Sequence, residues 1–295
     1  MDFAKLVLFT LQCSIFLTVF ALGLNATFAD SLSLLRRPAV LLRSLASMYV
    51  IMPVVAVLIA RALQLDTAVA IALLVLSVSP VPPFLPLKGT KVGTSGAYMF
   101  GLMAETAVLS VVVTPVAVVL LAKVFGVSAH VAPMAIAVVV LKTVLVPLGL
   151  GMLVRVLWPG AAQRLSRPIG MFAIIVLGLC FVLLLVAARD RIGDLIGNGT
   201  LAAIALFSVI GLIVGHLMGG PVEQDRTFLA FATPGRHPGV AFAIAHAIAP
   251  EEQKLILAAI LLYLVVLSVV SAPYARWRKR GLPTVPQQPM PHPSH

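Results

Sequence analysis

The sequence predicts an all-α integral membrane protein of about nine transmembrane helices, two of them broken and related as in an inverted repeat. Of its 295 residues 61% are hydrophobic and 11% charged, against roughly 25% charged in an ordinary globular domain, which excludes a water-soluble fold. The apolar residues fall in runs near the roughly 20 residues that a helix needs to cross hydrocarbon. Two of those runs hold proline clusters that a continuous helix would not accept.

With charges, Pro and Gly as punctuation, the predicted spans are residues 6–28, 39–63, 67–87, 94–122, 131–158, 168–188, 200–218, 228–249 and 254–274. The first is read as a retained span. A signal peptide has a cationic start and a shorter apolar run, whereas this chain opens MDFAK, where Asp2 offsets Lys5. Alternate hydrophilic segments hold Arg36, Arg37 and Arg43; Lys88 and Lys91; Arg155, Arg164 and Arg167; Arg226; and Arg276, Arg278, Lys279 and Arg280, which is 13 basic residues against 6 on the other side. By the positive-inside bias, the N-terminus is expected outside and the C-terminus in the cytoplasm, in a multi-pass protein of the inner (plasma) membrane. The same scatter of basic residues accounts for the net charge of +11 without a nucleic-acid surface, which would mass them on one face. Residues 1–280 form the expected transmembrane transporter domain. Residues 281–295, with five prolines, are expected to be a disordered cytoplasmic tail.

The breaks lie at Ser77–Gly89 (SVSPVPPFLPLKG) and Ala232–Gly239 (ATPGRHPG). Proline removes a backbone donor and clashes with the preceding turn, and freed backbone groups at membrane depth are tolerated only inside protein or along a wet cavity. The breaks are five spans apart, so the two interrupted helices run in opposite directions. Paired discontinuous helices of that kind supply the midplane binding site of inverted-repeat transporters. The candidate substrate-binding residues are therefore Ser79, Pro80, Pro82, Pro83, Thr233, Gly235, Arg236 and His237.

The stretch FALGLNATFADSLSLLRRPAVLLRSLASMYVIMPVVAVLIARAL at residues 20–63, the proline at Pro80, the pair Thr114-Pro115 and PGVAFAIAHAIAP at residues 238–250 together resemble the bile acid:sodium symporter family. The resemblance implies a panel of helices beside a core bundle in which the two broken helices cross. It also implies secondary active transport of an organic anion by alternating access. The departures are specific. Sodium-coupled members carry Pro-Gly-Gly ending in Ser-Asn at the first break, where this chain continues VPPFLP. At the second break, Glu-x-Gly-x-Gln-Asn is replaced by Ala232, Pro234, Arg236 and His237. Sodium takes hard oxygen ligands, so none of the family's sodium ligands can be carried onto this chain and sodium coupling is doubtful.

An ionisable group deep in a bilayer costs on the order of 3 kcal/mol and normally faces a cavity or a partner. Glu105, Lys142 and Arg236 are the candidates. Glu105 and Lys142 are read as ion-coupling residues, and Glu105 is expected to balance Arg236 or to pair with Lys142. His216 and His246 lie near span ends, and Gly211, Gly215 and Gly219 repeat every four residues as a packing face. No phosphate-binding loop, metal-spaced His/Cys cluster or nucleophile with a base is found, so no enzyme activity, metal or cofactor is expected. The expected partners are the lipid bilayer and a small organic anion, with protons as a coupling ion and no nucleic acid. Two other readings stay open, a proton-linked antiporter of related fold and a transport-inactive scaffold or sensor.

Overall fold

The structure, a computed structural model, describes residues 3–27, 29, 32, 34–82, 85, 89, 94–125, 133–196 and 199–281. Among them there is no strand. The helices are α1 (Phe3–Asn25), α2 (Pro38–Leu45), α3 (Met52–Ala62), α4 (Thr67–Val78), α5 (Gly96–Phe125), α6 (Pro133–Val140), α7 (Val146–Leu157), α8 (Pro159–Ala187), α9 (Arg189–Leu195), α10 (Thr200–Met218), α11 (Glu223–Ala232), α12 (Pro238–Ile248) and α13 (Gln253–Gly281). A π-turn, Ala46–Ile51, joins α2 to α3, and a second, Leu141–Leu145, joins α6 to α7. Six helical stretches of the described residues are long and apolar enough to cross a membrane. Residues Phe9–Asn25, Thr67–Val78 and Pro238–Ile248 form shorter apolar helices, the last two abutting the expected breaks. The tail beyond residue 281 lies outside the described residues.

Two boundaries differ from expectation, each for a local reason. The sixth apolar run begins earlier as helix, because Pro159 occupies the first helical turn, where its missing N–H costs nothing. Arg164 and Arg167 therefore stand on the first turns of α8. At the other end α13 continues through Arg276–Arg280, and the basic residues of its last turn complement the negative end of the helix dipole.

Helix α1 packs along α7 and α8 as one group, while α2–α5 and α10–α13 form a second. Apolar residues face outward in both. On α8, Phe172, Ile175, Leu179, Val182 and Val186 are exposed, and on α5 so are Val108, Val112 and Val116, while Thr106, Ser110 and Thr114 on the opposite face are buried. This is the polarity of a helix whose surroundings are lipid and whose polar groups must be satisfied within the protein. The Gly211–Gly215–Gly219 stripe of α10 lies against Pro234, Ala230 and Arg226, where an added Cβ would collide with backbone or side-chain atoms.

Several of the basic segments are held by local contacts. The Thr94 hydroxyl donates to the Gln224 carbonyl at 2.9 Å, Arg37 acts electrostatically on Asp225, Arg278 pairs with Glu223 at 3.6 Å, and Arg155 donates to the Leu24 carbonyl at the end of α1 at 3.0 Å.

The α1–α7 crossing is the closest of the first group. A Cβ on Gly151 would meet the Phe20 carbonyl and come within 2.8 Å of the Gly23 Cα. Gly151→Ala should therefore lower stability by about 1–3 kcal/mol through overpacking, while Gly149→Ala, with nothing within 4 Å, should be neutral or slightly stabilising. Thermal unfolding of the detergent-solubilised protein checks this; equal melting points for the two variants would contradict it.

Candidate functional site

The breaks are best described by following the carbonyls that proline deprives of a donor. After Val78 the chain turns extended at Ser79, with ψ 152°. The residues four beyond Leu76, Val78 and Ser79 are Pro80, Pro82 and Pro83, none of which has an N–H. Leu76 instead receives the Ser79 N–H at 3.1 Å. Val78 receives the Thr114 hydroxyl of α5 at 2.8 Å, and Ser79 receives Nη1 of Arg236 at 3.1 Å. In the second break the Pro234 carbonyl faces Pro238 and is taken by the hydroxyl of Tyr263 on α13. That hydroxyl in turn accepts the Arg236 N–H at 3.2 Å.

A third element enters the same site. Within the π-turn the Met52 N–H bonds the Ser47 carbonyl, so in this register the Met48 carbonyl would meet Pro53, which has no N–H to offer. Nη2 of Arg236 fills the place at 2.6 Å. The guanidinium lies 5.8 Å from the centre of the Tyr49 ring, near enough for a cation–π contact. Beside it, Ser47 and Thr233 share a hydroxyl bond of 3.2 Å.

The two breaks therefore touch. Besides the bond from Arg236 to Ser79, the His237 N–H donates to the Pro80 carbonyl at 2.9 Å. Arg236, only 1% exposed, joins the π-turn and the two breaks in one side chain. Two polar atoms are left over: Arg236 Nε and His237 Nε2 are buried without a partner. The His237 ring caps α12 by accepting the Val240 N–H on Nδ1 at 3.3 Å. In the neutral ring the proton then sits on Nε2, so both leftover atoms are donors.

Arg236 and His237 border a cavity of about 510 Å³ with Pro82, Pro234, Gly235 and Gly239. Its remaining wall is mostly apolar and comes from both helix groups, including Ile15 and Thr18 of α1, Phe181 of α8 and Leu261 of α13. A mostly apolar chamber bordered by an arginine and a histidine has room for a small, largely apolar molecule.

Of the expected site residues, Ser79, Pro80, Pro82, Thr233, Gly235, Arg236 and His237 meet at this crossing, and Pro83 lies outside the described residues. The expected ion pair is not formed. Arg236 spends its terminal nitrogens on carbonyls, Lys142 is exposed, and Glu105 is buried with both carboxyl oxygens unpartnered. Ion pairs among the described residues include Arg189–Asp190, Arg191–Asp194 and Arg278–Glu223, and none of these uses Glu105, Lys142 or Arg236. Tyr49, Tyr263 and the Met48 carbonyl belong to the site and are not among the expected residues. The signals for them were Pro53 inside a span and a tyrosine in the middle of the apolar run of α13, whose buried hydroxyl needs a partner. Tyr263→Phe strands the Pro234 carbonyl and should cost about 1–3 kcal/mol. Thermal unfolding of that variant reads the loss, and an unchanged melting point would show that another donor reaches the carbonyl.

The family model described as Sodium Bile acid symporter family matches residues 13–195. The match takes in α1 to α9, with the described part of the first break and Glu105, while Arg236 and His237 lie beyond it. No curated protein matches the chain. A match over more than half of a chain built of membrane-length apolar helices places it: the protein is a multi-pass membrane protein and belongs to the Sodium Bile acid symporter family.

Proposed function

We propose that the protein is a secondary active transporter of an organic anion, working by alternating access between the α1–α7–α8 group and the remaining helices, with its N-terminus outside and its C-terminus in the cytoplasm of the plasma membrane. The observation that carries this reading is an apolar cavity of about 510 Å³ between the two groups, bordered by Arg236 and His237, each of which keeps one buried nitrogen without a partner. A volume of that order suits a small-molecule ligand. The N-terminus of α12, which starts at Pro238, adds the positive end of a helix dipole. The nine apolar runs and the meeting of two broken helices favour an inverted repeat, whose two halves supply one break each.

Arg236 also bears on the coupling ion. Its guanidinium is a permanent cation held by carbonyls of two helices, where the family's sodium-coupled members carry a glutamine. A fixed positive charge takes over the electrostatic task of a mobile one, so transport does not require sodium. His237 serves the substrate as a hydrogen-bond donor while its other nitrogen holds the helix start.

The test is uptake of labelled cholate, the class of solute named by the family, into proteoliposomes. Replacing sodium by potassium at fixed pH should leave wild-type uptake unchanged, whereas Arg236→Gln should lower it at least tenfold. His237→Phe keeps Arg236 and its carbonyl bonds, and should weaken cholate binding by about tenfold, the worth of one hydrogen bond to a charged group. Size-exclusion profiles confirm that the variants fold. Uptake that vanishes without sodium, or that survives in both variants, would contradict the reading.

A further inference from the structure

Anion binding at Arg236 and His237 makes no use of Glu105. This residue sits on α5, 9% exposed, and neither carboxyl oxygen has a hydrogen-bond partner. A carboxylate taken out of water without a donor or a cation costs far more than a neutral acid, and such a group neutralises itself by taking up a proton.

Among the described residues, the elements packed against α5 bring no buried cation to Glu105. Helices α4 and α6 carry no titratable residue. On α2, Arg43 is exposed, as is Lys142 on the second π-turn. The turn Leu34–Arg36 directs the backbone N–H of Leu35 toward the carboxyl without closing a hydrogen bond, and its Arg36 side chain is exposed. Tyr98, two turns back on α5, bonds Ser44 of α2 at 3.0 Å and feels both Glu105 and Asp225 of α11. Asp225 is a second acid, 4% exposed, with Oδ1 unpartnered and Arg37 as its electrostatic counterweight. Among the described residues, the buried charge nearest to Glu105 in this cluster is thus a second acid, and its basic counterpart Arg37 is exposed.

Glu105 is joined to the substrate crossing by a short physical path. The Tyr49 hydroxyl donates to the carbonyl of Thr106, the next residue, at 2.9 Å, and the Tyr49 ring lies beside the Arg236 guanidinium. The same π-turn supplies the Met48 carbonyl that Arg236 holds. A shift of α5 when Glu105 gains or loses its charge would therefore be felt at the clamp.

We propose that Glu105 is a proton-binding site and that one proton bound there accompanies each anion, so that the pair crosses without net charge. Proton binding stands on the geometry of Glu105 alone; the coupling half rests on the anion-transport reading. In this scheme Arg236 supplies the fixed charge at the crossing, and the proton on Glu105 supplies only the coupling to a gradient.

Two measurements on the full-length protein separate these halves. Infrared difference spectra in lipid nanodiscs, stepped in pH and repeated in heavy water, should show a protonated-carboxyl band in the wild type that is lost in Glu105→Gln and kept in Glu105→Asp and Asp225→Asn. A spectrum unchanged by Glu105→Gln would overturn the proton site. In sodium-free proteoliposomes, an acid-outside gradient should speed wild-type cholate uptake by up to about tenfold per pH unit, the most that one titrating group allows. Glu105→Gln should abolish that acceleration while retaining cholate counterflow. Uptake indifferent to the gradient in the wild type would overturn the coupling. A Glu105 band in a protein that moves no cholate would support the proton site and refute the anion-transport reading.

Discussion

Inside a membrane, a carbonyl oxygen released by proline has no water to turn to, and five such oxygens shape the centre of this protein. Leu76, Val78 and Ser79 lose their helical donors to Pro80, Pro82 and Pro83, Met48 loses its to Pro53, and Pro234 loses its to Pro238. The replacements come from a turn N–H, Thr114, Tyr263 and the two terminal nitrogens of Arg236. Leaving any one unpaired would cost about 1–3 kcal/mol. The prolines that open the helices therefore also dictate where donors must stand, and four of the five donor groups belong to three side chains, Thr114, Tyr263 and Arg236, that reach from elsewhere in the chain.

This constraint explains why an arginine is tolerated at the crossing. Burying a lone guanidinium is costly, but here two carbonyl dipoles and an aromatic face meet it, and the carbonyls need it in return. What the clamp leaves unused, Nε of Arg236 and Nε2 of His237, is buried without a partner in two residues that border the cavity. One residue thus serves the fold with its terminal nitrogens and keeps its third unspent. Because the cavity draws its wall from both helix groups, a relative movement of the groups would open and close it, while the carbonyl bonds of the clamp all lie within one group.

Much of this was legible in the sequence, for identifiable reasons. Apolar runs near 20 residues and proline clusters are strong signals, so the helical membrane architecture and the breaks at Ser79 and Arg236 could be read directly. The meeting of the breaks followed from their placement in opposed spans. What could not be read was register. Pro53 marks span two as irregular, yet only the π-turn reveals that the orphaned oxygen belongs to Met48 and points at Arg236. Tyr263 is legible as a buried hydroxyl in need of a partner, but the partner is not, since a contact across 29 residues depends on how α13 packs on the break. The pairing expected for Glu105 failed because charge complementarity in a sequence carries no distance. Arg236 found neutral carbonyls nearer, and Lys142 points outward.

The central claim is that a tethered guanidinium stands where a mobile cation would otherwise be needed. Equilibrium binding of radioactive sodium to the purified protein in lipid nanodiscs tests it most directly, because it requires neither a substrate nor transport. The account predicts no saturable sodium binding above empty nanodiscs at any concentration up to physiological ionic strength. Stoichiometric, saturable sodium binding to the wild-type protein would contradict it.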